Sequence, residues 1–337
     1  MSIDSVNDIQ RYLGEEMIEQ HREGAISRRE MFSRLVAICG TAAAASALLA
    51  ACGDDGAAST TSTTAAGAST TAAPATTGAT ATTDAPPASL SSTPQTTTGS
   101  GAVLSVAESD PAVKGEDVTF PGGTVLGYVA RPVGGPAAKR PGVIVIHENQ
   151  GLTAHIKDVT RRLAKAGYLA VAVDLASRQG GTPKVTSGIS GVLGQLSGAD
   201  AVADMNAGIA YLENQSDYNG KVGVTGFCYG GSMTMRLAAN QPKIKAAVPY
   251  YGTPPSPESQ MANTAAALLV HYGATDARVN ASIPLLEANV AGKTYEKRVW
   301  DGAGHAFNND TNSGAYNASV AVRAWTDTLS WFARHLA

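Results

Sequence analysis

The chain has 337 residues, 44% of them hydrophobic and 16% charged, with a formal net charge of −3. So small a charge, with no block of like charges, excludes the electrostatic footprint of a nucleic-acid binder and says little about a small-molecule substrate. The composition changes so sharply along the chain that residues 1–52, 53–105 and 106–337 need separate readings.

The first 26 residues are polar and carry a helical pattern from Ile9 to Glu23, an unusually long start for an export signal. Ser27-Arg28-Arg29-Glu30-Met31-Phe32 then leads into an Ala-rich apolar run from Leu35 to Ala51. A charged region followed by an apolar run has the pattern of a signal segment, and the paired arginines before Phe32 resemble those of twin-arginine (Tat) export signals. The run is short and weakly hydrophobic for a permanent membrane span. It ends Leu49-Ala50-Ala51-Cys52, which resembles the lipobox of bacterial lipoproteins. On that reading Cys52 is the lipidation site, buried acyl methylenes hold the protein on the membrane, and the mature chain is extracytoplasmic. The plainer alternative is a simple signal peptide in which Cys52 is incidental.

Residues 53–105 consist mainly of Ala, Thr, Ser, Gly and Pro. Such a stretch lacks the apolar surface needed to offset the entropy of ordering it, so it is expected to be a disordered linker.

From residue 106 onward apolar runs and turn residues alternate, over roughly 230 residues, a length that suits one α/β domain. Gly142–His147 reads as a strand buried on both faces, as do Leu169–Leu175, Lys221–Thr225, Ala246–Tyr250 and Ala266–Tyr272. Helical patterns lie between them at Ile156–Ala166, Ala199–Glu213, Gly231–Ala239 and Ile283–Val290, and an amphipathic stretch, Ser319–His335, closes the chain. The alternation predicts an α/β fold with a doubly wound, mostly parallel sheet and a site at the carboxyl ends of its strands. The Gly-rich stretch from Gly180 to Gly198 is open between a lid and an idle loop.

Of the three cysteines, Cys39 and Cys52 lie in the leader, which leaves Cys228 alone in the domain and rules out a disulfide framework there. A solitary Cys is often just a buried apolar residue. Here it sits in Gly226-Phe227-Cys228-Tyr229-Gly230-Gly231, directly after a strand and before a helical pattern. That is the strand–turn–helix elbow of the α/β-hydrolase fold, with Cys as the nucleophile. The helix N-terminus stabilises a thiolate. The acid and the histidine follow the nucleophile in this fold, and Asp276 and His305 both stand in loops beyond strand patterns, in that order. Taken alone, a loop Asp is more often a turn or cap residue and a loop His more often merely solvated. Together they predict a Cys228-His305-Asp276 triad, with His305 as the base, Asp276 fixing its tautomer, and the backbone N–H groups of Tyr229 and Asn149 as oxyanion donors.

With these residues in place, the domain from about Gly122 to the C-terminus resembles the dienelactone hydrolase (carboxymethylenebutenolidase) family. The marks are Gly226–Gly231, His147-Glu148-Asn149, Asp174-Leu175-Ala176-Ser177-Arg178-Gln179 and Ala303-Gly304-His305-Ala306-Phe307. The resemblance implies hydrolysis of an ester or lactone through a thiol-ester. It further implies that Glu148 contacts the resting thiol and Arg178, and that Arg178 binds a substrate carboxylate. Read from the sequence alone, Glu148 is equally a loop carboxylate and Arg178 a solvated charge. Where characterised members carry a second substrate-binding arginine, this chain has Phe307-Asn308-Asn309-Asp310, which points to a less anionic ester or lactone.

No histidine pair with helical spacing and no phosphate-binding Gly loop occurs, so neither metal nor cofactor is expected. The expected partners are a small-molecule substrate and, through the lipid anchor, a membrane. Two other functions compete: a surface-tethered, non-catalytic ligand-binding protein, and a thioesterase or peptidase built on the same triad.

Overall fold

The computed structural model describes residues 6–51, 104–134, 139–186 and 188–337. Cys52 and nearly all of the 53–105 linker lie outside the described residues.

The sheet-forming strands are β1 (Val113–Thr119), β2 (Leu126–Pro132), β3 (Arg140–Ile146), β4 (Leu169–Val173), β5 (Tyr218–Phe227), β6 (Ile244–Tyr250), β7 (Ala267–Gly273) and β8 (Tyr295–Trp300). They form one sheet in the order β1-β2-β4-β3-β5-β6-β7-β8. The pairs β1–β2 and β2–β4 are antiparallel and the remaining neighbours are parallel. The five strands read from apolar runs are β3 to β7, the interior of the sheet, where both faces are covered and continuous apolar sequence is required. The strands that such runs do not reveal are at the margins. β1 is largely exposed and β8 carries Glu296, Lys297 and Arg298, charges that suit edges and hide the strand signal.

Helices α1 (Asp8–Arg22), α2 (Arg28–Cys39) and α3 (Ala42–Ala51) precede the domain. Within it come α4 (Ala154–Lys165), α5 (Ile189–Gly194), α6 (Gly198–Glu213), α7 (Tyr229–Asn240), α8 (Ala277–Asn280), α9 (Ile283–Asn289) and α10 (Ala318–Leu336). Glycines let the long helices approach the strands. A Cβ at Gly142 would stand 2.5 Å from Leu212 of α6, and one at Gly223 would stand 2.8 Å from Phe332 of α10. In register, Gly142 pairs with Val222, so Gly223 points to the opposite side and α6 and α10 cover opposite faces. This is the doubly wound α/β architecture, and it puts the ends of β3, β5, β7 and β8 along one rim.

The apolar run expected as one segment, Leu35–Ala51, is broken. Gly40, at φ 78°, caps α2, and α3 leaves at 111° to it. Among the described residues no single helix is long and apolar enough to cross a membrane. Ile9, Leu13 and Met17 of α1 are buried with Leu35 and Ile38 of α2 and Leu48 of α3, so the three helices share an apolar centre. The Gly180–Gly198 stretch contributes a short 3-10 turn at Thr182–Lys184 and then α5, which packs on α2. Gln195 donates to Ile38 O at 2.9 Å.

Candidate active site

Cys228 follows the last residue of β5 and caps α7 with φ 56° and ψ −119°, a conformation that L-residues avoid. The bend survives because its neighbours are glycines. A Cβ at Gly226 would lie 2.3 Å from Gly230 O, and one at Gly230 would lie 2.2 Å from Ile146 O. The other non-glycine residues at positive φ among those described, Tyr251 and Ala306, also flank the site. Tyr251 lies after β6 with its ring 5.0 Å from that of His305. Backbone strain is thus gathered at one rim.

Asp276, beyond β7, is 2% exposed and caps α8 by accepting from Val279 N–H at 3.2 Å. His305, beyond β8, donates from Nδ1 to Asp276 Oδ2 at 2.6 Å. Burial opposes ionisation of Asp276, but the bond to His305 outweighs it and lowers the carboxyl below its ordinary value. Nδ1–H is therefore fixed toward Asp276 and Nε2 toward the cleft, where Glu16 Oε2 stands 3.7 Å away. A ring nitrogen of His305, the Cys228 sulfur and a Glu16 oxygen all lie within 4.8 Å of one another. The structure therefore brings Cys228, His305 and Asp276 together. The same thiol, imidazole and Glu16 carboxylate form a donor set of the kind that holds zinc.

His147, Glu148 and Asn149 follow β3. His147 is fully buried: Nδ1 donates to Glu148 O at 2.7 Å and Nε2 accepts from Leu175 N–H at 3.0 Å, which ties two strand-end loops together. Asp174 accepts from the N–H and hydroxyl of Thr182 at 2.6 and 2.9 Å, so this part of the Asp174–Gln179 motif organises a turn. Tyr229 supplies the first residue of α7, and Asn149 stands on the facing loop and lines the cleft.

Two expected contacts are absent, and each has a physical reason. Glu148 is buried at the cleft wall, where burial raises its pKa, but its Oε2 accepts from Asn309 Nδ2 at 2.7 Å and not from the thiol. Arg178 does not meet Glu148. Its guanidinium turns to α6, onto Asp204 at 3.0 Å and Asp200 at 3.0 Å, and is 40% exposed. Two carboxylates one helical turn apart satisfy the fork better than a single buried one. Asp310 is likewise turned away from the cleft. It pairs with Arg162 at 2.5 Å and His155 at 3.0 Å, leaving the neutral Asn309 at the wall.

The thiol's carboxylate partner is Glu16, from α1. Cys228 Sγ donates to Glu16 Oε2 at 3.1 Å, with Oε1 at 3.3 Å, and Tyr12 Oη–H reaches the sulfur at 3.7 Å. Glu16 also accepts from Asn149 Nδ2 at 3.0 Å and from Arg278 at 3.2 Å. Arg278, in α8, completes its fork on Glu19 at 2.7 Å and lies 4.9 Å from the centre of the Tyr12 ring. Tyr12, Glu16, Glu19 and Glu23 recur at helical spacing, so one polar stripe was legible in the sequence. Nothing in that spacing says what the stripe faces.

These groups surround a cleft of about 840 Å³ lined by Glu16, Glu19, Glu148, Cys228, His305 and Asn309 among others. Burial foremost, and then the charge of Glu16, push the Cys228 thiol up to about 11. Burial disfavours a charged His305, yet Glu16, Asp276 and the sulfur outweigh it and raise the imidazole well above its ordinary value. Both shifts favour the protonated form, of the thiol and of the imidazole alike, while Glu16 lies between two such neighbours.

Residues 125–336 match the profile of the dienelactone hydrolase family. The "Putative carboxymethylenebutenolidase" of Methylorubrum extorquens is 34% identical over 230 residues, 63% of this chain and 78% of that protein. The Escherichia coli K12 protein of the same name is 32% identical over 231 residues, covering 64% and 84%. A crystal structure titled "Putative Dienelactone Hydrolase", from Klebsiella pneumoniae, is 31% identical with a TM-score of 0.59, covering 66% of this chain and 99% of that one.

Proposed function

Since the chain belongs to the dienelactone hydrolase family, whose members are carboxylic ester hydrolases of α/β fold, we propose that it cleaves an ester or lactone through a thiol-ester on Cys228. The observation that carries the reading is the convergence of a strained elbow cysteine with a His305–Asp276 pair bonded at 2.6 Å.

His305 Nε2 takes the thiol proton as sulfur attacks the acyl carbon, and Asp276 holds the imidazolium in place. The oxyanion that forms is met by the N–H of Tyr229, at the start of α7, and by that of Asn149 on the loop after β3. His305 then protonates the departing oxygen, and water attacks the thiol-ester with His305 as base. Among the described residues no Lys or Arg lines the domain's side of the cleft, where Glu148 and Asn309 stand, and this favours a neutral or weakly anionic acyl group.

The test is mass spectrometry, on the full chain and on the chain with α1 broken by Leu13→Pro, after incubation with a panel of lactones and p-nitrophenyl esters. Acylation at Cys228, with turnover abolished in Cys228→Ala and a trace kept in Cys228→Ser, is expected. Full turnover in the alanine variant would end the proposal.

The leader supports a second part of the reading: export by the twin-arginine route and lipidation at Cys52, placing the enzyme outside the cytoplasmic membrane. Arg28 and Arg29 open α2 after the Ser27 cap, which accepts from Glu30 N–H at 3.2 Å. Membrane-fraction localisation that disappears on Cys52→Ala is the expected outcome. A wholly cytosolic, unprocessed chain would contradict it.

A further inference from the structure

We infer that α1 is a built-in inhibitor of this enzyme: it docks in the catalytic cleft as an acidic helix, lays Glu16 across Cys228, and must leave before a substrate reaches the sulfur. The inference rests on the reading of Cys228 as the nucleophile.

Three observations carry it. The first is occlusion. Cys228 is 3% exposed, and the atoms that cover it include the carboxylate of Glu16 at 3.1 and 3.3 Å and the hydroxyl of Tyr12 at 3.7 Å. An acyl carbon must approach within about the same distance to react, so these side chains stand where it would come.

The second is misdirection of the proton. A cysteine nucleophile works when its S–H bonds to the base. Here the S–H is held by Glu16 Oε2 at 3.1 Å, and the same oxygen stands 3.7 Å from His305 Nε2, so a carboxylate competes for both members of the pair. A carboxylate against sulfur also opposes the thiolate, so sterics and charge act in the same direction.

The third is the manner of attachment. The polar stripe of α1 is matched to the domain at three points: Asp8 pairs with Arg236 of α7, Glu16 with Arg278 and Asn149, and Glu19 with Arg278. Its apolar side is spent on α2 and α3. All three helices precede the 53–105 stretch. The cut that the leader reading places before Cys52 would therefore sever the inhibitor from the domain, joining activation to export.

The test uses the full chain and two full-chain variants, Asp8→Ala/Glu19→Ala, which removes two anchoring carboxylates, and Leu13→Pro, which breaks α1 at its centre. The rate of Cys228 alkylation by iodoacetamide is followed by mass spectrometry at neutral pH. Circular dichroism checks that the domain stays folded. Alkylation at least tenfold faster in both variants is expected. A synthetic peptide of residues 7–23 added to either variant should slow it again, and a scrambled peptide should not. Equal or slower alkylation in the variants would overturn the inference, and would mean that α1 is a fixed wall of the cleft. Because alkylation needs no ester turnover, this outcome is separate from failure of the hydrolase reading, which the Cys228→Ala assay decides.

Discussion

Glu16 Oε2 and Cys228 Sγ lie 3.1 Å apart although 212 residues separate them in the chain. Within one hydrogen bond the leader reaches the nucleophile. The sulfur answers to Tyr12, Glu16, Glu148 and His305, and the balance of burial and nearby carboxylates keeps it protonated at neutral pH.

This has a pH signature. A thiol with its pKa pushed up to about 11 gains thiolate tenfold per pH unit throughout the neutral and mildly alkaline range. The alkylation rate of the full chain should therefore climb without a plateau from pH 7 to pH 10. Replacing Glu16 by Gln removes the second cause of the shift, so the plateau should move to lower pH. Coincident profiles for the two proteins would contradict this assignment.

Asp276→Asn keeps the shape of the α8 cap but leaves His305 free to adopt the other tautomer. A fall in kcat on the order of 10²–10⁴-fold, with KM changed far less, is expected from the role of such an orienting carboxylate. Steady-state kinetics on a p-nitrophenyl ester decide it, in the form freed of α1 if the full chain proves too slow. A change confined to KM would assign Asp276 to binding.

At Gly230 the predicted defect is steric. An alanine Cβ would meet Ile146 O at 2.2 Å and His147 O at 2.5 Å, both backbone atoms that cannot rotate away. Gly230→Ala should cost about 1–3 kcal/mol in urea unfolding and displace the elbow with it. Wild-type stability would show that β3 and α7 yield more easily than the geometry implies.

His271, fully buried in β7, gives an acid-stability prediction. Its Nδ1 accepts from Trp300 Nε1–H at 3.2 Å, and its Nε2–H donates to Thr328 Oγ1 at 3.1 Å, an arrangement only the neutral ring can make. Burial, with a smaller contribution from Arg298, lowers its pKa from 6.5 to about 3. Between those values the unfolded chain binds a proton that the folded chain refuses. Stability conferred by the neutral ring is complete above pH 6.5 and is lost as pH falls toward 3, by about 1.4 kcal/mol per unit. His271→Gln should flatten that part of the urea-midpoint profile relative to wild type, whatever its cost at pH 7. Parallel profiles would reject His271 as the source.

The interior strands, the Cys228 elbow and the order Cys228, Asp276, His305 were legible because each is a local pattern. Burial on both faces demands unbroken apolar runs, and a sharp turn demands glycines two residues either side of the nucleophile. β1 and β8 were not, since an edge strand satisfies only one neighbour and carries charge that masks its periodicity. Local sequence also displayed the stripe Tyr12, Glu16, Glu19, Glu23 on a helix. Whether Glu148 or Glu16 meets the thiol, and whether Arg178 or Arg278 stands at the cleft, depends on which of several carboxylates each guanidinium reaches in space. Charge pairing between distant segments leaves no spacing rule in the chain, so only tertiary packing, of α1 onto Arg278 and of α6 beside Arg178, decided it.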